Sequence, residues 1–224
     1  MLKYIISIIF FVSFSLSSFS QTALQQWTTH APGAKVINVE KVHDKIFTAT
    51  PYEIFYYNTS DNSINKLTKV NGLSDFGISV MRYNAKIDKI FIGYSNSNID
   101  IIDRNENIIN LNEIKIKSII ADKTINDVFF IDDKAYLSCG FGIVVIDMTK
   151  MEVKDTYIIG DGGSYLNVND ITLYDGKLYG TNERSYVVEV NENGAKVLTD
   201  APVHFEFFHY DDRLYARTSD SSLV

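Results

Sequence analysis

Four histidines punctuate the 224-residue chain, His30, His43, His204 and His209, and none stands in a metal-ligating spacing such as H-E-x-x-H. The single thiol, Cys139, has no partner for a disulfide and no neighbours that mark a nucleophile, so it reads as a small buried hydrophobe. Paired carboxylates occur at Asp132-Asp133 and Asp211-Asp212. Both fall in short polar breaks between strand-like runs, where turn geometry already explains Asp. Gly160-Asp161-Gly162-Gly163 has the glycine content of a phosphate cradle, but it is read as opening a strand, which lacks the dipole of a helix N-terminus. No set of residues amounts to an active site, and neither cofactor nor metal is expected. What remains is chemistry of grip: amides, a phenol and carboxylates at Asn71, Asp75, Tyr94, Asn96, Asn98 and Asp100 could hold a ligand or partner by hydrogen bonds.

Those residues need elements to place them. In Lys89–Asp103, KIFIGYSNSNIDIID, two strand-like runs are split by Ser95-Asn96-Ser97-Asn98. The same design returns along the chain: a polar turn, a basic residue, an apolar residue, an aromatic, a polar break and an alternating strand. The aromatic falls at Phe47, Phe91, Tyr136, Tyr179 and Tyr215, with spacings of 44, 45, 43 and 36 residues. A period of roughly 40 to 50 residues with several strands per unit predicts an all-β propeller of four-stranded antiparallel blades. For the second repeat the expected strands are Ile78–Tyr83, Lys89–Tyr94, Ile99–Asp103 and Ile108–Glu113. For the third they are Asn126–Ile131, Lys134–Ser138, Ile143–Asp147 and Val153–Ile159. Asp132-Asp133 and Asp175-Gly176 read as first hairpin turns. A β-sandwich would also show short, regular strands, but not one side-chain pattern returning at this period. Parallel βαβ units would need helix-length segments that the chain lacks.

From Trp27 to Val224 there is room for about four and a half repeats, fewer than a typical propeller holds, so the expectation is a partial propeller over residues 21–224 with its last blade truncated. Successive strands of a blade reverse direction. The turn between its second and third strands therefore shares a face with the links between blades. That places Ser95–Asn98 beside Asn71–Asp75, with further links at Ile119–Thr124 and Gly160–Ser164. Asp103 is matched by Asp147 and, loosely, by Asn58 and Asn191, which marks a structural turn. Asp100 has no acidic counterpart (the other repeats place Ile54, Val144 and Val187 nearby) and is expected to contribute to a polar rim. Replacing Asn96 and Asn98 together by Ala is expected to leave folding nearly intact.

The first twenty residues read differently from the rest. One positive charge at Lys3, an apolar stretch from Tyr4 to Phe14 and the small, polar end Ser18-Phe19-Ser20 form a secretory signal over residues 1–20. Its apolar core is too short for a membrane span, and no transmembrane anchor is expected elsewhere. The rest is ordinary for a globular fold, with 46% hydrophobic and 22% charged residues. A net charge of -7 argues against a nucleic-acid partner, because phosphate binding needs a basic surface.

Four segments carry a family likeness: WTTH at Trp27–His30, NGLSD at Asn71–Asp75, YSNSNIDIID at Tyr94–Asp103 and AYLSCGFGIVVID at Ala135–Asp147. Together they resemble the N-terminal propeller of the PorZ family, accessory proteins of type IX secretion in Bacteroidetes. NGLSD alone is also similar to the inter-blade motif of two-component-regulator propellers. Those tend to have Trp-Ile-Gly-Thr in the second strand, where this chain has Phe91-Ile92-Gly93-Tyr94. The PorZ resemblance implies a cell-surface, outer-membrane-associated scaffold without catalytic activity. It would work with a PorU-like sortase and other attachment-complex proteins, which anchor cargo to anionic lipopolysaccharide. The alternative implied by the regulator motif is a periplasmic glycan-sensing propeller of a hybrid two-component system. A propeller enzyme would need an inward acid or His/Tyr cluster, and the sequence shows none.

Overall fold

The computed structural model describes residues 35–174, 177–181, 186–191, 194–200, 205–210 and 213–218, with side chains described for residues 35–160, 162–172 and 180. The expected signal segment, Trp27, His30, His204, the turns at Asp175-Gly176, Asn182–Ser185 and Asp211-Asp212, and the tail from residue 219 lie outside the described residues.

Strands β1 (Asn38–Val42), β2 (Lys45–Ala49), β3 (Glu53–Asn58) and β4 (Ser63–Thr68) pair antiparallel in sequence order. The same meander recurs as β5 (Ile78–Asn84), β6 (Lys89–Tyr94), β7 (Ile99–Ile102) and β8 (Ile108–Leu111). It recurs again as β9 (Ile125–Ile131), β10 (Lys134–Cys139), β11 (Gly142–Asp147) and β12 (Glu152–Tyr157). A fourth sheet holds β13 (Asp170–Tyr174), β14 (Lys177–Thr181), β15 (Tyr186–Asn191) and β16 (Gly194–Asp200), and β17 (Phe205–Tyr210) pairs with β18 (Arg213–Thr218). The first strands adjoin from sheet to sheet: β1 by β5, β5 by β9, β9 by β13 and β13 by β17. Sequence-order meanders joined through their first strands are blades of a propeller, not the two facing sheets of a sandwich.

The hydrophobic cores lie in the seams. Phe47, Ile54 and Tyr56 of the first blade pack on Met81, Ile90, Ile92 and Ile102 of the second. Phe91, Ile99 and Ile101 of the second pack on Ile125, Leu137, Val144 and Ile146 of the third. Because blades two and three are covered on both faces, β7 and β11 are buried at every residue rather than at alternate ones. Cys139 is fully buried in the seam between blades two and three, and burial pushes its thiol far above the usual range.

The repeating basic residue has a job the pattern alone did not show. Lys45 of β2 pairs with Glu106 of the next blade, and Lys89 of β6 donates to the Met148 carbonyl of the blade after it, at 3.1 Å. In the first two blades the repeat unit thus carries its own tie to its successor, whereas Lys134 pairs with Asp133 and Asp147 of its own blade at 2.8 and 3.0 Å.

Two readings of the links need correction. The fourth strand of the second blade stops at Leu111, and Glu113–Ile116 forms one helical turn, α1. Helix geometry there drives Ile114 into the core at 3% exposure, and the link runs over 112–124 rather than 119–124. Likewise the fourth strand of the third blade ends at Tyr157 rather than Ile159, and Gly160–Gly163 does not open a strand. Asp161–Gly163 forms a 3-10 turn, and the next strand starts at Asp170. Gly162 and Gly163 take φ of 64° and 80°, which favours glycine over any side chain.

Candidate functional site

The turn between β6 and β7 closes through a 3.0 Å bond from the Ser97 amide to the Tyr94 carbonyl, with Ser97 left-handed at φ 61°. A three-residue loop ending in a left-handed bulge is a common hairpin solution, and the Asn98 amide adds a 3.0 Å bond to Asn96 Oδ1. The turn is stitched to both neighbouring links. The Ser95 amide donates to the Gly77 carbonyl at 2.8 Å, Ser97 Oγ donates to the Lys123 carbonyl, and Thr124 Oγ1 donates to the Ser95 carbonyl at 3.3 Å. Gly77 permits this approach: its φ is 76°, and a Cβ there would meet Ser95 Oγ at 2.6 Å. The equivalent turns do the same work. The Pro51 carbonyl accepts from the Gly77 and Ile78 amides, and the Cys139 carbonyl accepts from Val168.

Five of the six sequence-predicted site residues meet in one hydrogen-bonded network. Asp75 is its outer centre. Its Oδ2 accepts from Lys115 Nζ at 2.5 Å, Asn96 Nδ2 at 2.7 Å and Asn98 Nδ2 at 3.4 Å. Its Oδ1 accepts from the Phe76 amide at 3.0 Å and Lys69 Nζ at 3.3 Å. Burial opposes ionisation of Asp75, but the bonds from Lys115, Asn96 and the Phe76 amide outweigh it and hold the carboxyl well below the usual range.

Asp100 is the inner centre and is fully buried. Its Oδ2 accepts from Tyr94 Oη at 2.6 Å and the Ser74 amide at 2.8 Å, and its Oδ1 accepts from Asn110 Nδ2 at 2.9 Å. Burial pushes the Tyr94 phenol far up, and the bond to Asp100 and its charge add to that. Asn98 joins the two centres, accepting from Asn110 at 2.9 Å while donating to Asp75.

The expected polar rim is therefore displaced. Tyr94, Asn98 and Asp100 are inside the protein, at 0%, 2% and 0% exposure. The reason is the closed set of donors around Asp100, which makes its burial affordable in a way a lone carboxylate could not be. Asn71 stands apart: its Oδ1 accepts from the Thr68 amide at 2.6 Å and its Nδ2 donates to the Lys66 carbonyl at 2.8 Å, capping the end of β4. The residues left at the surface are Asn96 and two lysines the sequence reading missed, Lys69 and Lys115. Apolar side chains stand exposed on the same links: Val70, Phe76, Ile116 and Ile120. Lys69 Nζ lies 4.9 Å from the Phe76 ring centroid. Asp75 thus accepts five bonds and Asp100 three, all from donors of the protein itself. Among the described residues, no group of three or more His, Cys, Asp and Glu is placed to hold a metal ion.

Residues 46–200 match the family described as the type IX secretion (TSS9) PorZ N-terminal β-propeller domain. No curated protein matches the chain. Among solved structures, PorZ from Porphyromonas gingivalis, described as an essential surface component of type IX secretion, aligns with TM-score 0.57 at 16% identity over 85% of this chain and 32% of its own. The extracellular domain of a proposed one-component system from B. thetaiotaomicron aligns with TM-score 0.67 at 11% identity, over 89% of this chain and 28% of its own. The extracellular domain of a proposed hybrid two-component system from the same organism aligns with TM-score 0.59 at 12% identity, over 84% and 26%. The chain thus spans a third or less of these three proteins. At such identities the structural likeness speaks for the propeller fold alone.

Proposed function

Because the chain belongs to the family of PorZ N-terminal β-propeller domains of type IX secretion, we propose that it is a non-catalytic binding and scaffold module at the cell surface. In this reading it is exported by the signal segment at residues 1–20. It assists a PorU-like sortase and other attachment-complex proteins in fixing cargo to anionic lipopolysaccharide. The observation that carries the reading is the family match over residues 46–200. The link face supports it, since Phe76, Ile116 and Ile120 stand exposed there beside the hydrogen-bonded network. Among the described residues no helix is long and apolar enough to cross a membrane. The test is affinity capture of the full-length protein from the cell surface. Recovery of a sortase and attachment-complex proteins supports the reading, and their absence, with normal cargo attachment in a deletion strain, removes it.

A second reading is a periplasmic glycan-sensing propeller of a hybrid two-component regulator. It is favoured by Asn71–Asp75, NGLSD, which is similar to the inter-blade motif of two-component-regulator propellers. Kinase or DNA-binding sequence in the same reading frame would establish it.

A further inference from the structure

The face opposite the links differs from seam to seam. Beneath the seam of blades two and three, the turn after β11 supplies Met148, fully buried, and Met151, and both join the core together with Ile87. Beneath the seam of blades one and two, the turn after β7 supplies Arg104 and Glu106 instead. The two turns each follow an Asp and end on a left-handed residue, Glu106 at φ 64° and Met151 at φ 58°, but the second is one residue longer: the Glu106 amide donates to the Asp103 carbonyl at 3.0 Å and the Met151 amide to the Asp147 carbonyl at 2.8 Å. Where the methionines fill space, the charged pair leaves a cavity of about 260 Å³.

Its lining is two-natured. Val42, Phe47, Ile90 and Ile102 give it an apolar floor, and charged side chains surround that floor. Asp88 accepts from Tyr83 Oη at 2.8 Å, bonds His43 Nε2 at 2.7 Å, and faces Arg104 Nε at 3.7 Å. Lys45 pairs with Glu106. Asp103 is satisfied by the Asn105 and Asn107 amides at 2.8 and 2.9 Å. Asp44 and Ser60 stand exposed at the mouth of the cavity, and the Arg104 side chain is 76% exposed.

An anion entering this cavity meets the carboxylates of Asp44, Asp88, Asp103 and Glu106; a cation meets Lys45 and Arg104. A neutral ring bearing several hydroxyls avoids both conflicts. Each hydroxyl can donate to a carboxylate and accept from a guanidinium or imidazole, while the C–H face of the ring lies on Phe47 and the isoleucines. We propose that the cavity between the first two blades is a binding site for a single neutral sugar ring. The site is separate from the link face and does not depend on the secretion reading, because it selects against the charged groups of an anionic polysaccharide.

The experiment is saturation-transfer NMR on the full-length protein, with glucose, galactose, mannose and N-acetylglucosamine as probes and their methyl glycosides alongside. Inorganic phosphate and lysinamide are the charged controls. At least one sugar should bind with a dissociation constant on the order of a millimolar, as expected of a ligand of about a dozen heavy atoms. The R104M variant, which places a methionine where the next seam has Met148 and leaves the Lys45–Glu106 pair intact, should weaken that binding by at least about tenfold with the melting temperature held. If that variant fails to fold, Asp44→Ala on the cavity wall provides the same comparison. Equal binding of methyl glycosides assigns the site to glycan-linked sugars, and selective binding of reducing sugars to free ones. No sugar signal, a signal unchanged in the variants, or displacement of the sugar by phosphate or lysinamide would overturn the proposal.

Discussion

Asn96 Nδ2 lies 2.7 Å from Asp75 Oδ2, which ties the β6–β7 turn to the link that enters the same blade. The contact spans 21 residues of sequence and is one of five bonds that the Asp75 carboxylate accepts. Asp75 thus organises the link face, and its neighbours are more replaceable than it is.

Asp75→Ala should destabilise the fold by about 2–4 kcal/mol, since it leaves Lys115 and two amides without their shared acceptor. Urea denaturation followed by tryptophan and tyrosine fluorescence measures this; a loss under about 0.5 kcal/mol would show that the links hold without it.

The same carboxyl gives a pH signature. Its folded-state pKa is lowered, so its contribution is fully present above the unfolded value of about 3.9 and is lost as pH falls through the folded value. The stability gap between wild type and Asp75→Asn should be constant from about pH 7 to pH 5 and narrow below about pH 4. A gap that widens in acid would reverse the assigned sign.

Asn96→Ala and Asn98→Ala should separate, contrary to the expectation that the pair can go together. Asn96 is partly exposed and should cost below about 1 kcal/mol, whereas buried Asn98 leaves Asn110 and Asp75 short of partners and should cost about 1–3 kcal/mol. Equal effects in thermal melts would argue that the turn behaves as one unit.

Cys139 should resist thiol reagents in the folded protein and react freely once unfolded, because its thiol is buried and held protonated. The rate of native labelling then reports opening of the seam between blades two and three. Fast labelling without denaturant would contradict the packing.

Ile116→Ser with Ile120→Ser should leave the melting temperature unchanged within about 2 °C, since both side chains are exposed, at 73% and 93%. If the link face carries the proposed attachment-complex contacts, this variant should capture less of the partner from the cell surface. Full capture would move the contact elsewhere.

The blades were legible because the signal is local and repeated: Lys45, Lys89 and Lys134 each precede an apolar residue and an aromatic at nearly constant period. The turn at Asp132-Asp133 was legible for the same reason, and Asp132 takes the left-handed φ of 56° that its residue type tolerates. The helix α1 was not. In Glu113-Ile114-Lys115-Ile116 the apolar residues alternate as in a strand, and four residues cannot separate a period of 2 from one of 3.6. Only the seat waiting for Ile114 decides it. The burial of Asp100 was hidden for a different reason. A carboxylate in a strand reads as surface, and the donors that make burial tolerable come from residues up to 26 positions away. Lys115 was missed as a site residue because its reach to Asp75 depends on that unseen helix.

The carbonyls of Pro51, Ser95 and Cys139 each receive their bond from the segment that begins the following blade. A blade that has just left the ribosome therefore has a turn whose acceptor is still waiting. In the first two blades the recurring lysine is waiting too, for Glu106 or for the Met148 carbonyl. Each of these blades completes its hydrogen bonds only once the next is in place, so neighbouring blades stabilise one another as adjacent repeats do. An arrest of synthesis would leave the newest blade with those acceptors open and its seam uncovered.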